Sequence, residues 1–303
     1  MKVALIGAGA VGGYFIWGME NAPKDGRQFT VVADGSRLGR LTEKGIKVNG
    51  KLYHPSVATP EEAGVQDVII FAVKGNSTQT AANMLPPLIG DDTVVLSMLN
   101  GADSEEIIAD VIGREHVLHS IIMIASRRFD DEIVFDSTYN TTVYYGAVDI
   151  PDAGKKLKMV EDAVSDTQLH FVKSNDIMFD IWTKYAKNIS NNLPQAVLGV
   201  PAALYTRSEH GLFLAKKLWA EVRTLAHIRG VVLPEEVGIY ECADSSRYST
   251  LQDLDAKRTT EIESLCGYLL DMASQNNISV PYIEYTYHAI KAIEEKNAGL
   301  FDC

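Results

Sequence analysis

The chain has 303 residues and a formal net charge of −12, with 46% hydrophobic and 22% charged residues. This length predicts about two domains, and the composition is that of an ordinary folded protein. An acidic surface repels phosphate backbones, which argues against a nucleic-acid partner, although a local pocket of lysine and asparagine can still bind a small anion.

The cysteines and the N-terminus predict a cytoplasmic protein. Cys242, Cys266 and Cys303 form no CxxC pattern, so we expect reduced thiols rather than a disulfide framework or a metal site. The first residues run from a strand into a glycine turn, without the apolar core of a signal peptide. No apolar stretch is long enough to span a membrane, and we therefore expect no membrane association.

In the first half of the chain, short β-branched runs alternate with helical patterns. The predicted strands are 3–6, 29–33, 67–73, 93–97 and 117–124, and the predicted helices lie near 11–20, 37–44, 76–87 and 103–112. This alternation predicts a parallel sheet with helices on both faces. The strands lack in/out alternation, as expected when both of their faces are buried.

The pattern changes after residue 131. The segments 132–137 and 141–147 predict a hairpin-like pair of strands, and a helix near 154–166 followed by a strand at 168–172 closes the first domain. Beyond residue 176 the spacing of apolar residues is helical. The predicted helical segments are 177–199, 209–229, 249–276 and 281–296.

A glycine-rich turn lies directly between the first strand and the first helix. It reads GAGAVGG and contains the spacing GxGxxG. The first glycine permits a tight turn, the second lets the backbone approach a pyrophosphate, and the third lets the helix pack on the strand. The phosphate would then bind N–H groups at the helix N-terminus. The cofactor-binding residues predicted here are Gly7, Gly9, Ala10, Val11 and Gly12.

Together these patterns predict an α/β fold in two parts. The first is a Rossmann-type NAD(P)-binding domain at 1–175, and the second is an all-helical substrate and catalytic domain at 176–303.

The end of the second strand bears on the choice of cofactor. Asp34 follows Gly12 by 22 residues, at the position that usually contacts the adenosine ribose. An aspartate there binds the ribose hydroxyls and repels a 2′-phosphate, which favours NAD(H). Arg37 and Arg40 follow closely, and either could accept that phosphate, which favours NADP(H). The sequence leaves both cofactors open.

A polar stripe runs along one predicted helix of the second domain. Lys184, Asn188 and Asn192 are each four residues apart, which places them on one helix face. Asparagine is a poor helix former, so the stripe indicates a site for a small polar anion. The alternative is a solvated face on a helix that Pro194 kinks or ends.

Four segments outside the glycine turn carry further motifs. They are FAVK at 71–74, LNG at 99–101, WTKYAKNISNN at 182–192, and STLQD at 249–253 with TEIE at 260–263. With these motifs the chain resembles the ketopantoate reductase (2-dehydropantoate 2-reductase) family over nearly its whole length.

The resemblance implies a role for each matching residue. Lys184 would be the catalytic lysine, and Glu261 the acid that works beside it. Lys74 would lie near the nicotinamide, and Asn100 would contact both cofactor and substrate. The remaining implied substrate ligands are Asn188, Asn192 and Ser249. Ser249 could instead be the N-cap of the helix that follows it.

The resemblance also implies an activity, the reduction of 2-dehydropantoate to pantoate with NADPH in pantothenate and coenzyme A synthesis. Asp34, where the family usually has arginine, and Ala202, where it has asparagine, suit an NADH-dependent D-2-hydroxyacid dehydrogenase of the same fold instead. A nucleotide-binding sensor without turnover is a third hypothesis, against which the retained Lys184 and Glu261 argue. The expected partner is a small-molecule 2-keto acid, and a homodimer is compatible with the sequence.

Overall fold

The computed structural model of the chain describes residues 1–23, 26–129, 131–137 and 141–301, so Cys303 lies outside the described residues. The described residues form two compact units. The first consists of Met1–Leu99 and Asp103–Ile177, and the second of Asn100–Ala102 with the chain from Met178 onward. The domain limits 1–175 and 176–303 stay a prediction, because contacts alone do not show independent folding.

The first unit contains all the described strands. They are β1 (Lys2–Ile6), β2 (Gln28–Val32), β3 (Ile46–Val48), β4 (Lys51–Tyr53), β5 (Ser56–Ala58), β6 (Val68–Phe71), β7 (Val94–Ser97), β8 (Val117–Met123), β9 (Ser126–Phe129), β10 (Glu132–Phe135), β11 (Thr142–Gly146) and β12 (Phe171–Lys173). The larger sheet has eight strands in the order β12-β11-β8-β7-β6-β1-β2-β5. The predicted parallel sheet is confirmed for β1, β2, β6, β7 and β8.

Helices connect the strands of this unit. They are α1 (Ala10–Glu20), α2 (Gly35–Lys44), α3 (Pro60–Ala63), α4 (Thr78–Ala82), α5 (Ser104–Ile112) and α6 (Ala153–Val164), with 3-10 turns at Gly75–Ser77, Pro86–Leu88 and Arg114–His116. On the central strand β1, Val3 and Leu5 pack into one hydrophobic core, while Ala4 and Ile6 pack into another. Both faces of the strand are therefore buried, as its unbroken apolar run predicts.

The predicted hairpin between 132–137 and 141–147 is wrong. β10 pairs antiparallel with β9 and parallel with β3 in a separate four-stranded sheet, whereas β11 pairs antiparallel with β8 in the larger sheet. An apolar pattern marks a strand without selecting its partner. Ile133 and Phe135 are buried against α1, where Phe135 contacts the rings of Tyr14 and Trp17, so β10 buries its apolar side chains on this helix as part of the smaller sheet.

Close backbone contacts require glycine at two positions of the turn after β1. Gly7 has a φ of +102°, and a Cβ atom there would lie 2.4 Å from the carbonyl oxygen of Ala72. A Cβ atom on Gly12 would lie 1.9 Å from the carbonyl oxygen of Gly7. No heavy atom of the described chain lies within 4 Å of the Cβ position of Gly9. Two glycines therefore serve the packing of the turn, while the third leaves open space beside it.

The second unit is helical. Its elements are α7 (Ile177–Lys187), a first π turn (Asn188–Asn192), α8 (Leu193–Leu198), α9 (Ala203–Arg207), α10 (Glu209–Ile228), α11 (Ser249–Asp255), a second π turn (Glu263–Gly267), α12 (Tyr268–Gln275) and α13 (Pro281–Asn297). One hydrophobic core holds them together, and its largest buried side chains include Trp182, Tyr185 and Trp219. Along the described ranges, no helix is long and apolar enough to cross a membrane.

The single helical segment predicted over 249–276 is interrupted. α11 ends at Asp255, and Lys257 adopts a left-handed conformation with a φ of +52°. Thr260 then donates from both its backbone N–H and its hydroxyl to Glu294 on α13. These contacts replace the helical hydrogen bonds of the interrupted stretch. Glu261 consequently stands just before the second π turn rather than in the middle of a long helix.

The surroundings of two glycines, one in the glycine turn and one in α2, predict opposite effects of a Gly→Ala substitution. Gly12→Ala should lower the free energy of unfolding by about 1–3 kcal/mol, because its methyl group overlaps the Gly7 carbonyl. Gly39→Ala, inside α2 and in open space, should raise it by about 0.5–1 kcal/mol. Urea unfolding of both variants measures the difference, and equal stabilities would contradict the geometry.

Candidate active site

The residues predicted to bind the cofactor in the first unit lie at one edge of the larger sheet. Asp34 follows β2, Gly7 follows β1, and Lys74 follows β6. These three strands are parallel neighbours, so their carboxyl ends meet at the same edge. Ligands of open α/β sheets bind outside such carboxyl ends. The structure therefore brings these residues to the edge where a dinucleotide is expected.

The glycine turn fits a dinucleotide pyrophosphate. α1 begins at Ala10, Gly9 offers no side-chain cap, and the first turn of the helix, which the structure describes fully, carries no acidic residue. The N–H groups at the helix start, which include those of Ala10 and Val11, are thus left to a ligand or to solvent. The open space beside Gly9 gives the phosphate room to approach the backbone.

Asp34 and the two arginines keep both cofactor options open. Asp34 is an exposed residue at the start of α2, and its side chain makes no capping hydrogen bond to the described helix. Arg37 and Arg40 are exposed on α2 itself. The carboxylate is therefore placed to bind ribose hydroxyls, and the guanidinium groups are placed on the helix that follows it.

Asn100 leads a turn whose backbone conformation the sequence predicts. Gly101 has a φ of +112°, the left-handed region expected for the glycine of this turn. The short segment Asn100–Ala102 belongs by its contacts to the helical unit. Its leading side chain can therefore take part in a site built from helical residues.

A hydrogen-bond network joins Asn100 to the predicted catalytic pair. The Lys184 Nζ donates to Asn100 Oδ1 at 3.1 Å, and Asn100 Nδ2 donates to Glu261 Oε2 at 3.1 Å. Asn188 Nδ2 also donates to Asn100 Oδ1, at 3.5 Å. One carboxamide thus bridges an ammonium group and a carboxylate, and four of the residues named from the sequence meet here.

The ionisation of Lys184 is perturbed in this environment. Burial lowers the pKa of Lys184 from 10.5 to about 8, and the nearby Glu261 carboxylate opposes that shift. A lysine with a pKa of about 8 is largely protonated at neutral pH and still gives up its proton readily. This combination suits a general acid.

Asn192 and Ser249 are placed differently. Within the described residues, neither is bonded to Asn100, whose partners are the three residues above. Asn192 is buried, and its Oδ1 has no hydrogen-bond partner in the described parts of the chain. Ser249 is exposed and is the first residue of α11, while Tyr248 occupies the N-cap position. The alternative role of Ser249 as a helix cap is therefore wrong.

Two π turns adjoin this site, since Asn188 begins the first and Glu261 lies two residues before the second, and they pack against each other. The Tyr185 hydroxyl hydrogen-bonds the carbonyls of Ser264 and Leu265 in the second π turn, at 2.9 and 2.8 Å. The Tyr205 hydroxyl donates to the Asn191 carbonyl in the first π turn. π turns are rare, and they occur frequently at functional sites. Each is supported here by a buried tyrosine, a feature that apolar periodicity cannot predict.

Tyr240 is a further residue of the site that the sequence analysis missed. Its hydroxyl lies 3.0 Å from Asn188 Oδ1, and its backbone N–H donates to Asn191 Oδ1 at 2.9 Å. It lies between α10 and α11 in a segment without helix or strand, so no periodicity in the sequence marks it.

Comparison with known proteins assigns the chain to a family. The model described as "Ketopantoate reductase PanE/ApbA" matches residues 3–149, and "Ketopantoate reductase PanE/ApbA C terminal" matches residues 176–294. Together they span most of the chain. The chain belongs to the ketopantoate reductase family. The predicted resemblance and fold class are thereby confirmed.

Individual relatives match over almost their full length. The 2-dehydropantoate 2-reductase of Archaeoglobus fulgidus is 27% identical, with 97% of this chain and 98% of the relative covered. A D-mandelate dehydrogenase, solved with NADH and anilino(oxo)acetate, superposes with a TM-score of 0.86 at 20% identity, covering 98% and 99% of the two chains. A dimeric ketopantoate reductase from Staphylococcus aureus gives 0.78 at 19% identity, covering 98% and 100%. At these identities the two structures show a shared fold.

Family membership makes the chain an oxidoreductase that works with a nicotinamide dinucleotide. The predicted enzyme class is therefore confirmed.

The network around Asn100 predicts how Glu261 affects the neighbouring ammonium group. Glu261→Gln should lower the pKa of Lys184 below about 8, because it removes the negative charge that favours the protonated lysine. The ammonium group would then lose its proton at a lower pH than in the wild type. Carbon-13 NMR titration of the reductively methylated protein measures the shift, with the signal assigned by its absence in Lys184→Arg.

A matched control is available two residues further along the chain. Glu263 is exposed and binds Tyr287 and Lys291 instead. Glu263→Gln should leave the pKa of Lys184 unchanged. Equal shifts in the two variants would contradict the specific coupling of Glu261 to Lys184.

Proposed function

We propose that this protein reduces 2-dehydropantoate to pantoate with NADPH. The observation that carries the proposal is the Asn100 carboxamide, bonded on one side to the Lys184 ammonium group and on the other to Glu261. Such an arrangement suits the reduction of a ketone beside a carboxylate. Membership of the ketopantoate reductase family and the similarity to the Archaeoglobus fulgidus reductase support the choice of substrate.

Lys184 is the proposed proton donor. Bound NADPH would supply a hydride to the ketone carbon, and negative charge would then build up on the ketone oxygen. The ammonium group stabilises that charge and donates its proton to the same oxygen. Its lowered pKa, about 8, makes this donation easier than from an ordinary lysine.

The remaining polar groups are proposed to hold the substrate. Asn100 keeps Lys184 and Glu261 in fixed positions, and Glu261 would accept a hydrogen bond from the substrate hydroxyl. The unpartnered Oδ1 of Asn192 supports a ligand role, because a buried acceptor without a partner costs about 1–3 kcal/mol until a donor group of the bound substrate or cofactor reaches it. Asn188 N–H and Ser249 would bind the remaining substrate oxygens, including the carboxylate. Positioning of this kind lowers the barrier by fixing the reacting groups before reaction.

A second candidate is an NADH-dependent D-2-hydroxyacid dehydrogenase that acts on another 2-keto acid. Asp34, exposed between β2 and α2, favours this candidate because its carboxylate repels a 2′-phosphate. Ala202 also favours it, since a buried methyl group replaces an amide that the family would offer to the substrate. The similar D-mandelate dehydrogenase is described with NADH. A homodimer, as described for the Staphylococcus aureus protein, is the proposed assembly.

The proposed proton donor predicts a selective loss of turnover. With 2-dehydropantoate and NADPH, Lys184→Ala should lower kcat by about a hundredfold or more, because the general acid is gone. The wild-type rate of reduction should fall as the pH rises through about 8, where Lys184 loses its proton. Steady-state oxidation of NADPH, followed by absorbance, measures both effects.

Lys216→Ala is the charge-matched control, because Lys216 is exposed on α10. It should retain wild-type kcat. Near-normal turnover by a folded Lys184→Ala protein would contradict the assignment of Lys184 as the proton donor. A wild type that binds the dinucleotide and reduces no keto acid would contradict the proposed reaction and favour the sensor hypothesis.

The position of Asp34 predicts how a substitution can shift the preference between NADPH and NADH. Asp34→Ala should raise kcat/KM for NADPH relative to NADH by about tenfold, since it removes roughly 1–2 kcal/mol of repulsion between the carboxylate and the 2′-phosphate. Parallel assays of wild type and variant with both cofactors measure the ratio. An unchanged ratio would mean that Asp34 does not contact the adenosine ribose, and Arg40→Ala would then test the neighbouring helix.

A further inference from the structure

The charged groups of the site set the direction of the Asn100 carboxamide. An ammonium group only donates hydrogen bonds, and a carboxylate only accepts them. Asn100, which bonds to one of each, must therefore turn its oxygen to Lys184 and its nitrogen to Glu261. The two charged side chains thus set the orientation of the first amide.

The same constraint passes to Asn188 and then to Tyr240. Because Asn100 presents its oxygen, Asn188 turns its nitrogen toward it, through a contact that is 3.5 Å long. The oxygen of Asn188 then faces the Tyr240 hydroxyl at 3.0 Å, so the phenol must be the donor. Burial raises the pKa of Tyr240 above its usual range, so the phenol keeps the proton that this bond needs.

We propose that Tyr240 is a positioning residue, which holds the Asn188 carboxamide with its N–H groups toward the substrate. Asn188 carries two N–H donors, and a single direction of the amide cannot aim both at Asn100. A carboxylate or keto oxygen of the substrate would accept a hydrogen bond from the second N–H. This role rests on the proposed reduction of a 2-keto acid. Tyr240 would act on that reaction through Asn188, without contacting the reacting atoms.

Tyr240 is itself held on the first π turn. The side chain of Asn191 receives the Tyr240 backbone N–H at 2.9 Å and donates to the Gly238 carbonyl at 3.0 Å. The Tyr240 ring lies 5.5 Å from the Lys187 ammonium group and 5.7 Å from the ring of Tyr248. The hydroxyl therefore approaches Asn188 from a backbone that Asn191 already fixes. Removal of the hydroxyl alone should leave this clamp in place.

The weak contact between Asn188 and Asn100 explains why a second anchor is needed. A donor–acceptor distance of 3.5 Å is at the long end for a hydrogen bond and holds an amide loosely. Without the phenol, the Asn188 side chain could rotate and present its oxygen to the substrate instead. An oxygen facing a substrate carboxylate would repel it, so the substrate affinity depends on the phenol.

Tyr240→Phe tests the proposal. It should raise the KM for 2-dehydropantoate about tenfold, the size expected for one lost hydrogen bond, and change kcat much less. The dissociation constant of oxamate, an unreactive 2-keto acid analogue, should rise by a similar factor in calorimetric titrations of the cofactor-bound protein. In the background Asn188→Ala, the same substitution should have no further effect, because the residue it positions is absent.

Tyr248→Phe is the matched control, since the Tyr248 hydroxyl lies 3.1 Å from Cys242 Sγ rather than near Asn188. It should leave both constants unchanged. An active enzyme in which Tyr240→Phe changes neither constant, or in which its effect persists without Asn188, would overturn the proposal. If the wild type is inactive but binds oxamate, and Tyr240→Phe weakens that binding, the proposed reaction is overturned and the positioning role is supported. A wild type that neither reacts nor binds oxamate would overturn both.

Discussion

Lys184 donates a hydrogen bond to the Asn100 oxygen, and the Asn100 nitrogen donates one to Glu261. The helical unit must hold these three side chains within reach of one another. Since an amide cannot reverse itself between a cation and an anion, it keeps these two groups at defined positions. Asn100 comes from a turn that follows a strand, Lys184 from α7, and Glu261 from the stretch before the second π turn. Three distant parts of the chain must therefore be placed together before the site exists.

The protein places these parts with departures from regular helix. The interruption after α11 frees Glu261 from a long helix, and Thr260 ties the freed stretch to α13. The two π turns leave carbonyl groups to be satisfied, and buried tyrosine hydroxyls reach them. Irregular backbone of this kind costs stability unless its polar groups find partners. Its cost is offset here by hydrogen bonds from side chains that also pack in the core.

The sequence predicts the sheet of the first unit well and the irregular parts poorly. Apolar runs such as 3–6 identify the buried strands because both faces of each strand meet a hydrophobic core. Strand partners are not encoded in such runs, and the hairpin predicted after residue 131 was therefore wrong. The short strands β3, β4 and β5 were missed because strands of three residues show no clear period.

The sequence likewise predicts some residues of the candidate site and misses others. Lys184, Asn188 and Glu261 were found because local motifs carry them, and the structure brings them to Asn100. Tyr240 could not be found in this way, because its place in the site follows from the Asn191 clamp and not from any pattern of its neighbours. What the sequence lacks is thus the set of contacts between residues far apart in the chain.

The π winding at Asn188–Asn192 also bears on how such an enzyme can diverge. A π turn closes its hydrogen-bonded ring with one residue more than an α turn, so a helix can take up an inserted residue there without losing its continuity. The insertion rotates whatever follows, and Pro194 then falls at the start of α8, where its missing N–H does no harm. Gain or loss of one residue at this point would re-aim the amides while leaving the hydrophobic core of α7 in register. A lineage built on this scaffold can therefore change what it recognises by small steps in helix length, without first rebuilding its fold.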